Sequence, residues 1–164
     1  MKRLFIVRHG KAAAHGLTAD MERPLTSRGV QDVSALGDKT TKVRTAGDPL
    51  CCSPASRTHQ TAQILCNQWH EDASAITLEA DAYLASDRAW LNWINAWDNN
   101  FDSGWIVGHN PGLSDLVARL CDQHIWLPTS GLAEVELLVD HWSEAFAGTG
   151  RLRGLFTPKS QFSP

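Results

Sequence analysis

The chain has 164 residues, enough for one domain with a real hydrophobic core. Hydrophobic residues make up 43% and charged residues 20%, which excludes intrinsic disorder for the bulk of the chain. A net charge of -3 argues against a nucleic-acid or anionic-membrane binder, while leaving room for a local basic pocket.

Met1-Lys2-Arg3 precedes a short apolar run at residues 4–7. A secretory signal needs roughly 7–15 apolar residues and a membrane span roughly 20. The expectation is a cytoplasmic protein with no membrane segment. The four cysteines, Cys51, Cys52, Cys66 and Cys121, match no zinc spacing and read as reduced, buried thiols.

The run Leu4-Phe5-Ile6-Val7 has no alternation, so it reads as a strand buried on both faces, as in a parallel sheet. A helix is expected over about 27–41, with Thr26 as its N-cap. Residues 49–52 form a second short buried strand. Ser53-Pro54 then reads as cap chemistry, with proline opening a helix over about 54–69. Residues 75–78 are a third strand candidate. A helix over 87–97 places Trp90, Leu91, Ile94 and Trp97 on one face, where tryptophan packs a core. A fourth strand over 105–107 runs into Gly108-His109, and Asn110-Pro111 repeats the cap-then-proline signal before a helix to about 122. Strands over 132–139 and 152–156 close the chain. The order predicts a three-layer α/β/α sandwich with a mostly parallel sheet, a single domain over 1–158 and a loose tail over 159–164.

Three of these strands lead into reactive or anion-binding residues: Arg8-His9-Gly10, then Ser53-Pro54-Ala55-Ser56-Arg57, then Gly108-His109. Carboxyl ends of parallel strands share one edge, where ligands bind. Two arginines, two histidines and two helix N-termini are therefore expected to meet in an anion site, with phosphate as its natural tenant. His9 held neutral by neighbouring cations would attack phosphorus and form a phosphohistidine, and His109 would donate to a phosphoryl oxygen. This scheme needs no metal and no cofactor. His15, His59, His70, His124 and His141 show no ligand spacing, and Lys11 is a further candidate contact for an anionic substrate.

At these residues the chain resembles the histidine phosphatase superfamily, also called phosphoglycerate-mutase-like. The resemblance rests on Arg8-His9-Gly10, on Ser53-Pro54 with Arg57 and Thr61-Ala62, and on the late His109. Arg23-Pro24-Leu25-Thr26 with Gly29, and Pro128-Thr129-Ser130, look most like the small SixA-type phosphohistidine phosphatases. The resemblance implies His9 as nucleophile and Arg8, Arg57 and His109 as the phosphate pocket. Family members acting on alkyl phosphates usually carry an acid after the third strand. The matching region is 78–84, with Asp81 as the possible proton donor and Asp20 and Glu79 as the other candidates. An imidazole leaving group, with a pKa of roughly 6.5, departs far more easily than an alkoxide, so a missing acid is tolerable for phosphohistidine. The expected activity is metal-independent hydrolysis of phosphohistidine in a protein. The alternatives are a phosphatase of small phosphate esters and a non-catalytic phosphate-binding module.

Overall fold

The computed structural model describes residues 1–16 and 18–159. The first strand, β1 (Lys2–Arg8), lies inside a six-stranded sheet, so both of its faces are covered. Leu4 and Ile6 enter one core, and Phe5 and Val7 enter the other. This explains the uninterrupted apolar run, because side chains alternate between faces and each face needs an apolar partner. The strand starts earlier than expected because Lys2 pairs with Leu137 and Arg3 with Ser103, while the buried Lys2 ammonium donates to the carbonyls of Asn99 and Phe101 at 2.8 and 2.9 Å and faces Asp102. A buried ammonium is tolerated when its protons are taken up in this way.

Helix α1 (Ser27–Thr40) follows, and the Thr26 side chain accepts the Gly29 N–H as the sequence predicts. Next come β2 (Leu50–Cys52), α2 (Ser56–Gln68), β3 (Thr77–Leu78) and α3 (Asp87–Asn95). Then β4 (Ser103–Gly108), α4 (Gly112–Cys121), β5 (Leu132–Leu137) and β6 (Gly150–Phe156) complete the chain. The sheet order is β3-β2-β4-β1-β5-β6. The first four strands in that order run parallel, and β5 and β6 pair antiparallel. Residues of α1 and α2 build the core on one face, and residues of α3 and α4 the core on the other. The three-layer α/β/α architecture is the one expected.

Several boundaries differ from expectation for local reasons. Helix α2 begins at Ser56 rather than 54, and Ser53 caps nothing in it. Helix α3 stops at Asn95, and Trp97 packs edge-on against Trp142 at 5.0 Å instead of continuing the helix. Strand β3 has only two residues, both exposed, as suits a sheet edge. Trp90 is fully buried, whereas Trp126 is 64% exposed. The four cysteines are free; three are buried and Cys121 is half-buried. Burial pushes the Cys51 thiol up to about 12 and the Cys66 and Cys121 thiols up to about 11. Of the expected tail, residues 160–164 lie outside the described residues.

One close approach ties this frame to the chemistry. The first turn of α1 rests on the backbone that follows His9, and a Cβ at Gly29 would stand 2.3 Å from the Lys11 carbonyl oxygen. Backbone cannot yield as a flexible side chain can. Gly29→Ala is therefore expected to destabilise the fold by about 1–3 kcal/mol. Urea unfolding should show this as a lower midpoint, and an unchanged midpoint would contradict the packing argument.

Candidate active site

Sheet register builds the site. Arg8 of β1 pairs with Gly108 of β4, and Cys52 of β2 pairs with Val107. The next residues out of these strands, His9, His109 and Ser53, therefore emerge side by side. The rings of His9 and His109 stand 5.4 Å apart, centroid to centroid. Both line a cleft of about 440 Å³ with Arg8, Arg57 and Asn110. Arg57 arrives from the first turn of α2, and Asn110 precedes the first turn of α4. The four residues expected to meet, Arg8, His9, Arg57 and His109, are thus brought together.

Each side chain is held from behind. The His9 N–H donates to the Gly108 carbonyl at 3.2 Å, and its own carbonyl accepts from Ser130 N–H at 2.9 Å. Its Nδ1 lies 2.7 Å from the Gly10 carbonyl. A carbonyl only accepts, so Nδ1 carries the proton and Nε2 keeps its lone pair. The Gly10 N–H donates to Thr61 Oγ1 at 3.0 Å, which clips this loop to α2 and accounts for threonine in that helix. His109 Nε2 lies 2.7 Å from Ser53 Oγ. The Ser53 oxygen also accepts the Ala55 N–H at 3.4 Å, an arrangement in which its hydroxyl can donate to His109 Nε2. In that arrangement His109 Nδ1 is an N–H donor. It is buried and has no partner among the described residues, as are Arg8 Nε and Arg57 Nε.

Burial and cations keep both imidazoles neutral. Burial lowers His9 to about 4, against the Gly10 hydrogen bond, and Arg57, Arg8 and Arg23 add to the effect. Burial likewise lowers His109 to about 3, with Arg57 the next cause. Arg8 is lowered by burial and by Arg57. The counter-charge is Asp20. Arg57 donates from Nη1 to the Asp20 carbonyl at 2.7 Å and from Nη2 to its Oδ2 at 3.1 Å. Arg23 donates to Oδ1 at 2.9 Å, and the Tyr83 hydroxyl donates to Oδ2. The Tyr83 hydrogen bond first, then the two arginines, hold the Asp20 carboxyl well below the usual carboxylate range.

The acidic candidates fare differently. Asp20 lines the cleft but is held ionised. Asp81, expected as the possible proton donor, is exposed on the turn Ala80–Ala82 and does not line the cleft. Glu79 borders a separate groove beside Leu50 and Trp93, and Lys11 is exposed away from the lining residues. In the sequence Ser53 reads as a helix cap, His15 shows no ligand spacing, and Tyr83 carries no signal of its own. The one available signal for Arg23 was its place in the Arg23-Pro24-Leu25-Thr26 run. Among the described residues, no three His, Cys, Asp or Glu side chains are grouped to hold a metal ion.

Known proteins resemble this chain over most of its length. An uncharacterized protein of Mycobacterium tuberculosis is 28% identical, with 93% of this chain and all of that protein covered. The crystal structure of the putative phosphohistidine phosphatase SixA from Agrobacterium tumefaciens is 25% identical, with a TM-score of 0.80 over 96% of this chain and 98% of that one. The protein histidine phosphatase SixA complexed with tungstate is 24% identical, with a TM-score of 0.81 over 95% of this chain and 97% of that one. Residues 4–86, which include Arg8, His9 and Arg57, match the histidine phosphatase superfamily (branch 1), and the chain belongs to that superfamily.

Proposed function

We propose that the protein hydrolyses phosphohistidine on a protein substrate, through a covalent phosphohistidine intermediate on His9. One observation carries this reading: Arg8 Nε, Arg57 Nε and His109 Nδ1 are buried without a partner among the described residues, and their side chains line the cleft with His9, whose Nε2 is unprotonated when Nδ1 donates to Gly10. Buried donors without acceptors are costly, and phosphoryl oxygens would satisfy them. In this mechanism Arg8 and Arg57 bind the non-bridging oxygens and screen their charge. The His9 Nε2 lone pair attacks phosphorus, and His109 donates from Nδ1 as negative charge builds on oxygen. Water then releases phosphate from His9. No step is assigned to a metal.

The acidic groups support this substrate class. The carboxylate that lines the cleft is held ionised, so no protonated carboxyl stands ready for an alkoxide. A nitrogen leaving group fits that condition better than an alkyl oxygen. The free, buried cysteines fit a reducing cytoplasm. No described helix is long and apolar enough to cross a membrane.

Two measurements test the reading. A phosphohistidine protein is expected to turn over faster than a panel of sugar and alkyl phosphates, with chelators leaving the rate unchanged. Brief mixing with a labelled phosphodonor should leave an acid-labile, base-stable phosphate that His9→Ala abolishes; a label on serine would refute the nucleophile.

The neutral imidazoles add a pH dependence. The unfolded chain binds protons at both sites from about 6.5 downward, whereas folded His9 resists protonation to about 4. Stability is thus expected to fall as pH drops through that window and to be full above it. NMR titration should find both rings neutral at a pH of about 5.5. A midpoint near the ordinary histidine value for either ring would refute the assignment.

A further inference from the structure

Resting on that reading, we propose that His15 is the proton carrier of the reaction, giving a proton to the leaving group and taking one back from the attacking water. Attack of water on the phosphohistidine calls for a base, and a leaving nitrogen, although it tolerates the lack of an acid, departs faster when a proton is supplied. The other polar residues of the cleft are committed elsewhere. His9 Nδ1 is bound to the Gly10 carbonyl, and its Nε2 becomes the bond to phosphorus. His109 is held by Ser53 and, in that reading, donates to a phosphoryl oxygen. Asp20 is kept ionised by Tyr83, Arg23 and Arg57, and the Tyr83 proton is spent on Asp20. The Asn110 amide is used at both ends, by the Leu127 carbonyl and by Ser114, and does not ionise. Arginine does not release its proton.

His15 alone among the described lining residues is left for the task. It sits on the loop that leaves β1, six residues after the nucleophile, and lines the same cleft. Its Nδ1 lies 3.6 Å from Asp20 Oδ1. The carboxylate faces the ring at that distance, and Arg23, Arg57 and Arg8 line the same cleft. With Nδ1 on the Asp20 side, the opposite nitrogen, Nε2, is the one left to pass a proton. The side chain is 78% exposed, so it can reload from water between turnovers. An imidazole can give a proton and then take one back, as the two halves of the cycle use it.

The steps balance. In the first, the bond from His9 Nε2 to phosphorus forms and the substrate P–N bond breaks. Its electron pair goes to the leaving nitrogen, which takes the His15 proton. In the second, a water oxygen bonds to phosphorus and neutral His15 accepts the water proton. The P–N bond to His9 breaks, its pair returns to Nε2, and inorganic phosphate leaves.

The test compares kcat/KM on a phosphohistidine peptide with kcat/KM on p-nitrophenyl phosphate, whose phenolate departs without a proton. His15→Gln is expected to lower the first about 100-fold and the second several-fold at most. The melting temperature should stay put, since the side chain is exposed. Equal losses on both substrates, or none on the peptide, overturn the assignment of His15 and leave the phosphatase reading standing. A wild-type protein that turns over neither substrate overturns the phosphatase reading, and the His15 proposal with it.

Discussion

The site depends on the register between β1, β2 and β4. Parallel pairing sets Arg8 against Gly108 and Cys52 against Val107, so the chain leaves all three strands at one level. A shift of one residue in either pairing would turn Ser53 away from His109 or His109 away from His9, because successive strand residues face opposite sides. That register is held by the core. Phe5 stacks on Trp105 at 4.1 Å, and Trp69 leans on the same ring at 4.7 Å. Such ring pairs contribute about 0.5–1.5 kcal/mol each beyond the area they bury. The packing that stabilises the sheet therefore also aligns the imidazoles.

Charge at the site runs against that of the whole molecule. A chain of net charge -3 concentrates Arg8, Arg23 and Arg57 around two neutral histidines in one cleft. Local placement, rather than composition, decides what such a cleft binds. Asp20 makes the concentration tolerable, since it meets two of the guanidiniums and the Tyr83 hydroxyl. The same contacts strip it of any use as an acid. One carboxylate thus pairs the buried cations and stays ionised beside them.

Local misreadings are instructive because the residues concerned were visible. Ser53 and Asn110 both looked like caps before proline. Asn110 does serve the start of α4, with Oδ1 accepting the Ser114 N–H at 3.2 Å. Ser53 instead turns its hydroxyl to His109, and α2 starts two residues later without a side-chain cap. Both choices satisfy local capping chemistry. They differ only in what lies across the sheet, which a window of neighbouring residues does not contain.

The amino-acid sequence alone determined the alternation of strands and helices, the doubly buried strands, and the arrival of Arg8, His9, Arg57 and His109 at strand ends and helix starts. These follow from side-chain period, capping and the chain direction of parallel strands, all of which are local or topological. Tertiary structure decided the rest. Arg57 meets Asp20 across 37 positions and Tyr83 meets Asp20 across 63, and no periodicity links such residues. It likewise withheld Asp81 from the cleft and brought His15 to Asp20, because a surface loop takes its path from what it packs against rather than from its own residues.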